Sequence, residues 1–157
     1  MKKVLCMIAA VLTAATLFIG CQKQAETKQP APSAISAKLQ SSIKFPEMLA
    51  VTKDRLPLYY TGIDTGKLKS FSVSICSSLA SADEVAVFQC ASDADAQSVA
   101  TAVQTRIDSK TDTFKNYGAP KEATDIKSCV YETKGNYVIL AVTGDNDKAK
   151  TTIDSFF

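Results

Sequence analysis

Two short stretches of the sequence are apolar at every position, and they constrain the fold more than any other feature. The first is Val85-Ala86-Val87-Phe88, within residues 83–90, and the second is residues 138–142, within residues 136–143. A strand with water on one face alternates apolar and polar residues, whereas a strand covered on both faces has no need to. We therefore expect both stretches to be inner strands of a covered sheet.

Two further segments predict the remaining strands of this sheet. In residues 70–76, Phe71, Val73 and Ile75 alternate with small polar residues, a pattern typical of a half-buried strand at a sheet edge. Residues 126–133 precede a Lys134-Gly135 turn that leads into residues 136–143, as expected for a hairpin.

Apolar residues at helical spacing predict the helices. A long helix should begin at Asp93 or Asp95 and end at Gly118, with Pro120 just beyond. Shorter helices are expected from Ser33 or Ser36, with Phe45-Pro46 as the stop, over a turn at residues 54–60 ended by Gly62, and from Asp145 or Asp147 to the end of the chain. The apolar stripe of the long helix consists of Ala96, Val99, Val103, Ile107, Phe114 and Tyr117.

The order of these elements predicts an α+β fold with an internal repeat. Residues 84–95 align with residues 136–147 at a constant offset, so that Asp93 matches Asp145 and Asp95 matches Asp147. Two strand-strand-helix units would form a four-stranded antiparallel sheet with both helices on one face, and the short N-terminal helix is a candidate to cover the other. The expected core comprises Val85, Val87, Phe88, Val103, Ile107, Phe114, Ile139 and Leu140.

The beginning of the chain is typical of an export signal. Met1-Lys2-Lys3 precedes sixteen mostly apolar residues, fewer than the about 20 that span a membrane, and these end at Gly20-Cys21. Leu17 to Cys21 resembles the bacterial lipobox. We predict a lipoprotein signal peptide at residues 1–20, a lipidated Cys21 with a flexible tether at residues 21–33, and one domain at residues 34–157; the alternative is an ordinary signal peptide with an incidental cysteine.

A series of motifs resembles one protein family. The series includes Asp83-Glu84-Val85-Ala86-Val87-Phe88, the helix start Ala94-Asp95-Ala96, Arg106, and Lys134-Gly135-Asn136-Tyr137-Val138. This series, over roughly residues 43–157, resembles a family of small lipoproteins from Gram-positive anaerobes that share a domain of unknown function. The resemblance implies an extracytoplasmic domain on a lipid anchor and supplies no activity.

Composition excludes several kinds of function. Removing Lys2 and Lys3 with the leader from the eighteen basic residues leaves sixteen, equal to the number of acidic residues. A chain with no net charge lacks the positive field that nucleic acids require. The absence of histidine removes histidine-based triads and most zinc sites, and no glycine-rich phosphate loop is present. We expect no cofactor and no metal.

Three cysteines of the expected domain leave three alternatives open. Cys76, Cys90 and Cys129 form no close-spaced metal motif. Cys76 and Cys90 should lie at opposite ends of a hairpin, too far apart for a disulfide. A Cys90–Cys129 disulfide, a reactive thiol with a lowered pKa, and three buried unreactive thiols remain.

Acidic residues near helix starts and at one strand start have competing interpretations. Asp93, Asp95, Asp145 and Asp147 suit helix capping better than calcium, because the rest of a calcium loop is missing. Asp83 and Glu84 could form a structural ion pair with Arg106. Acid-base chemistry by the two carboxylates would need them to converge, whereas adjacent strand residues point to opposite faces.

For function, the sequence favours a non-catalytic binding or assembly module on the outer face of the cell membrane, held by lipid on Cys21. Its partner would be an envelope protein, a peptide or a small ligand, and a candidate interaction patch is Leu58, Tyr59 and Tyr60. The alternatives are an envelope enzyme that uses carboxylate, lysine, serine or cysteine side chains, and a thiol-based redox protein.

Overall fold

One antiparallel sheet organises the structure, a computed structural model that describes residues 29–117 and 119–157. The leader, Cys21 and Gly118 lie outside the described residues. Within those ranges the sheet has five strands in the order β1-β2-β3-β5-β4. They are β1 (Met48–Ala50), β2 (Leu68–Cys76), β3 (Glu84–Cys90), β4 (Val130–Lys134) and β5 (Tyr137–Val142).

The α+β class is confirmed, but the predicted count of four strands is wrong. The additional strand, β1, pairs with β2 and takes the edge position that was expected for β2. β1 is three residues long, so it is too short to produce a period-two pattern in the sequence. β3 and β5 are inner strands, as their continuous apolar sequences predicted.

The helices differ from the prediction mainly after the long helix. Pro120 begins a further helix instead of marking a stop, because its fixed φ suits the first turn, where its missing N–H is no loss. As a result β4 begins at Val130 and not at Ile126. The helices are α1 (Pro32–Ser42), α2 (Leu56–Tyr59), α3 (Asp93–Asn116), α4 (Pro120–Lys127) and α5 (Asn146–Asp154), with 3-10 turns at Lys53–Arg55 and Thr65–Lys67.

Helix starts are capped largely by other residues than those expected. Ser92 caps α3 by accepting a hydrogen bond from the backbone N–H of Asp95, and Asp95 accepts one from the Ser92 hydroxyl. Asp145 caps α5, as one of the two predicted alternatives. Neither Ser33 nor Ser36 caps α1, which begins with Pro32 at its first position. None of the described helices is long and apolar enough to cross a membrane.

Each face of the sheet carries its own core, and this corrects the expected placement of the helices. α3 and α4 pack on the face that contains Phe88 and Leu140, whereas α1 and α5 pack on the opposite face over Val87 and Ile139. α3 and α5 therefore lie on opposite faces and not on one. Since every residue of β5 is buried, its sequence could not indicate which face would receive α5.

The repeat holds for the strands and fails for the helices. Val87 pairs with Ile139, which is the pairing that a twofold axis relating the two aligned segments requires. Two residues connect β3 to α3, whereas three connect β5 to α5. The connection that is one residue longer is the one that leads to α5, the helix on the opposite face of the sheet from α3.

All the residues predicted to form the core are buried. Tyr117 is the exception along the predicted stripe of α3, because it follows the last helical residue and its side chain is 86% exposed.

The first described residues contact one end of the sheet. The Tyr137 hydroxyl donates a hydrogen bond to the carbonyl oxygen of Pro30 at 2.8 Å. The side-chain amide of Gln89 donates to the side-chain oxygen of Gln29 at 2.7 Å. Gln29 and Pro30, which belong to the predicted tether, thus contact the sheet where β3 ends and β5 begins.

The β4–β5 turn predicts a glycine-specific effect on stability. Gly135 has a φ of +55°, and a Cβ there would meet only the Asp93 carboxylate, at an ordinary 3.9 Å. Gly135→Ala should therefore destabilise the fold by about 1 kcal/mol through backbone strain alone, measured as the free energy of unfolding in urea. The matched control is Gly144→Ala, which has open space and no positive φ. Equal effects of the two changes would refute this explanation.

Candidate functional site

A carboxylate buried at the start of β3 is the centre of the candidate site. The side chain of Glu84 is completely buried on the face of the sheet that packs against α3. An ionised carboxylate is costly to bury unless charged or hydrogen-bonding groups surround it. The position of Glu84 therefore depends on its neighbours.

Two cations from α3 surround this carboxylate. Arg106 and Lys110 are four residues apart, so they lie on the same side of the helix. Arg106 Nη2 lies 2.9 Å from Glu84 Oε2, and Arg106 Nε lies 3.3 Å from the same oxygen. Lys110 Nζ lies 2.6 Å from Glu84 Oε2 and also donates to the Ala82 carbonyl oxygen at 2.6 Å.

Tyr60, directly after α2, completes a group that we call the charge cluster. The charge cluster consists of Glu84, Arg106, Lys110 and Tyr60. The Tyr60 hydroxyl donates to Glu84 Oε1 at 2.5 Å, and its ring contacts Phe88 edge to face at 5.1 Å. The guanidinium of Arg106 lies 5.6 Å from the centre of the Tyr59 ring, within cation-π range. Three separate segments of the chain thus meet at Glu84.

The cluster shifts the pKa values of its members in opposite directions. Burial raises the pKa of Glu84, but Lys110 and Arg106 more than offset burial and hold this pKa at about 2. Burial lowers the pKa of Lys110, and the Glu84 carboxylate compensates only in part. Burial, reinforced by the Glu84 charge, raises the pKa of Tyr60 well above its ordinary value. Glu84 is therefore ionised and Tyr60 neutral at physiological pH.

A cleft of about 780 Å³ opens between α3 and the β2–β3 loop, directly beside the cluster. We call it the α3 cleft. Arg106 and Lys110 line it together with small polar residues, Ser109 among them. Its apolar wall consists of Tyr59, Ile75, Leu79, Phe114 and Tyr117.

The loop wall of the α3 cleft is held in place by polar contacts. Lys110 binds the carbonyl of Ala82, and Glu122 accepts a hydrogen bond from the N–H of the same residue at 2.6 Å. Leu79, at the tip of this loop, is 98% exposed. The cleft therefore combines a fixed frame with large apolar side chains that face water.

The residues predicted as a structural ion pair occupy different positions. Glu84 and Arg106 lie in direct contact, as described above. Asp83 lies beside them in sequence but accepts a hydrogen bond from the Ser81 hydroxyl and makes no salt bridge among the described residues. The two adjacent carboxylates do not converge.

The predicted surface patch is divided by the structure. Leu58 is 74% exposed and Tyr59 is half-buried on the cleft wall, but Tyr60 is fully buried in the charge cluster. The expectation that Tyr60 contributes to an exposed patch is therefore wrong, because its hydroxyl is the hydrogen-bond donor that Glu84 uses.

The three cysteines are free thiols in the described part of the chain. Burial, with a contribution from Asp95, raises the pKa of Cys90 to about 11, and burial raises the pKa of Cys129 to about 11. Both thiols are protonated at neutral pH and thus poor nucleophiles. Cys76 is half-buried and lines the α3 cleft.

Sequence reasoning missed Lys110, and it placed Tyr60 on the surface instead of beside Glu84. Lys110 occupies a buried position on the same stripe of α3 as Val103, Ile107 and Phe114. A lysine on an otherwise apolar stripe, four residues after Arg106, is a signal that the sequence contains. Tyr60 offers no comparable signal, since its contact with Glu84 joins residues 24 positions apart.

A comparison with family models places this site in a known group of proteins. The model of Domain of unknown function (DUF4358) matches residues 41–143. The chain belongs to this family. The matched segment contains the charge cluster and every residue that lines the α3 cleft, and it ends before α5. No curated protein and no solved structure matches this chain.

The family assignment confirms the expected resemblance to proteins that share a domain of unknown function. The lipid anchor and the Gram-positive setting remain predictions.

The pKa of Glu84 predicts a specific acid sensitivity. Because the folded-state pKa is about 2 and the ordinary value is 4.5, the stabilisation from ionised Glu84 is complete above about pH 4.5. It should be lost as the pH falls from there to about 2, and its size is about 3 kcal/mol. Guanidinium unfolding of the wild type and of Glu84→Gln across this range measures the effect.

Glu84→Gln should be less stable than the wild type at neutral pH by about 3–5 kcal/mol, because buried Lys110 and partly buried Arg106 lose their counter-charge. The gap between the two proteins should shrink on acidification. Parallel curves would show that Glu84 does not have the assigned pKa.

Proposed function

We propose that this protein is a non-catalytic binding module of the cell envelope, anchored by lipid on Cys21, which receives its ligand in the α3 cleft. One observation carries the proposal: an apolar cleft of about 780 Å³ lies against a fixed charge cluster. Ligand sites are typically concave, mostly apolar and provided with a few fixed polar groups, with volumes of about 300–1,000 Å³. A binding role requires a cleft of this kind and no catalytic side chains.

The lipid anchor supports the proposal through concentration. A domain tethered at the membrane surface meets envelope ligands and partners at a raised effective concentration, so modest affinity suffices. The support for the anchor is the leader with Gly20-Cys21 in the sequence.

An enzyme is the second candidate, and the cleft itself favours it. Lys110, whose pKa is lowered, lines the cleft together with Ser81 and Ser109. A serine nucleophile needs a base within hydrogen-bond reach. In the described residues the hydrogen bonds of Lys110 Nζ go to Glu84 and to the Ala82 carbonyl, and none goes to a serine hydroxyl. We therefore prefer binding.

Occupancy of the cleft can be tested in cells. A photo-crosslinking amino acid in place of Leu79 should capture a ligand, because this side chain is exposed at the cleft. The same amino acid in place of Phe157, which is half-exposed and contacts the ring of Tyr137 on the other face of the sheet, should not capture it. The measurement is mass spectrometry of the crosslinked species.

Filling the cleft should abolish this capture. Ser109→Trp places a bulky ring at an exposed residue of the cleft wall, whereas Ser98→Trp places the same ring at an exposed residue of α3 outside the cleft. Capture should be lost in the first variant and kept in the second. Capture that survives Ser109→Trp, or turnover of an envelope substrate by the purified protein, would contradict the proposal.

Lipidation is a separate prediction. Cells fed labelled palmitate should incorporate the label into the wild-type protein and not into Cys21→Ser, because only a thiol at this position can form the thioether. Labelling of both proteins would show that Cys21 is not the anchor.

A further inference from the structure

Arg106 keeps hydrogen-bond donors that the folded chain does not use. A guanidinium has five N–H groups. Arg106 directs Nε and Nη2 at Glu84, while Nη1 has no acceptor among residues 29–117 and 119–157. The side chain is 20% exposed and lines the α3 cleft. One edge of the guanidinium is thus paired, and the other edge remains for a ligand.

The charges around this edge favour an anion. Arg106 and Lys110 are two cations that share one carboxylate, Glu84, which is itself completely buried behind them. No acidic side chain of the described residues lines the cleft. Asp83 and Glu122 lie nearby, but they bind the Ser81 hydroxyl and the Ala82 N–H. An entering anion would therefore contact Arg106 and Lys110 and no acidic side chain of the described residues.

The apolar side chains that line the cleft beside these cations suit an apolar body. Leu79 and Tyr117, both on the apolar wall, are almost fully exposed in this structure. Covering a large apolar side chain that is otherwise exposed to water favours binding. Tyr59 and Phe114 add aromatic surface, which stacks well on flat groups.

We propose that the α3 cleft binds a small amphipathic monocarboxylate, with its carboxylate on the free edge of Arg106 and its apolar body against the wall formed by Leu79, Phe114 and Tyr117. This inference rests on the proposed binding function and specifies its ligand. A carboxylate matches the planar fork of a guanidinium with two parallel hydrogen bonds. A single carboxylate is enough to occupy the one free edge of Arg106.

The test is a matched series of probes that differ only in the head group: 6-phenylhexanoate, 6-phenylhexanamide and 6-phenylhexylamine. Each is titrated by calorimetry into the full-length lipoprotein in nanodiscs, with empty nanodiscs as the blank. A charge-assisted hydrogen bond contributes about 1.5–3 kcal/mol, so the acid should bind about tenfold more tightly than the amide, or better. The amine should bind most weakly.

Variants locate the preference on Arg106. Arg106→Gln should bring the affinity for the acid down to that for the amide. Arg106→Lys keeps the charge and should keep part of the preference. The matched control is Arg55→Gln, since Arg55 also stacks on Tyr59, at 6.0 Å, but does not line the cleft. It should keep the full preference.

The possible results distinguish the monocarboxylate from the proposed binding function. Equal binding of acid and amide, both blocked by Ser109→Trp, would overturn the monocarboxylate and leave the binding module intact. The monocarboxylate would also be overturned if the amine binds best, or if a protein captured from Leu79 is not displaced by the acid. Absence of binding by all three probes, together with no capture in cells, would overturn both. The comparison of acid, amide and amine in the wild-type protein tests the monocarboxylate without any variant. A variant that fails to fold therefore leaves this test valid.

Discussion

The burial of one negative charge, that of Glu84, holds together the three segments of the chain that form the site. Glu84 lies at the first position of β3, its two cations lie on α3, and Tyr60 follows α2. Removing Glu84 alone would leave both Arg106 and Lys110 without their carboxylate, a change that typically costs about 3–5 kcal/mol, whereas removing one cation would leave Glu84 with the other. The distance between α3 and the sheet at the cleft is therefore set by these contacts and not by apolar packing alone.

The same contacts explain why a polar cluster can also be a ligand site. Glu84 satisfies Arg106 along one edge and holds the guanidinium in one orientation against Tyr59. A side chain with this support loses little conformational freedom when a ligand binds to it, so more of the interaction energy remains as affinity. Lys110 meanwhile fixes the loop wall of the cleft through the Ala82 carbonyl.

Sequence reasoning predicted the parts of the fold that repeated patterns encode. Sequence patterns predicted the inner strands and the long helix α3. Continuous apolar sequence identified the strands, and apolar residues at helical spacing over several turns identified α3 and its buried residues. β1 is too short to show a periodic pattern. α4 was not predicted because Pro120, its first residue, indicated in the sequence that the preceding helix had ended. The face that α5 covers could not be predicted, since both sides of β5 are apolar. For the site, Glu84 and Arg106 were expected as partners, whereas Tyr60 and the shape of the cleft depend on contacts between distant segments.

The contacts of Gln29 and Pro30 lie at the opposite end of the sheet from the cleft. They lie at the Gln89 end of β3, whereas Glu84 and the cleft lie at its other end, about 17 Å away at the rise of a strand. At most about 28 Å of extended chain separates Gln29 from Cys21. If Cys21 carries the proposed lipid, the pole at Gln29 is the one nearer the anchor along the chain, and the cleft lies at the opposite pole. A domain held in this way would keep its cleft away from the anchored end of the chain.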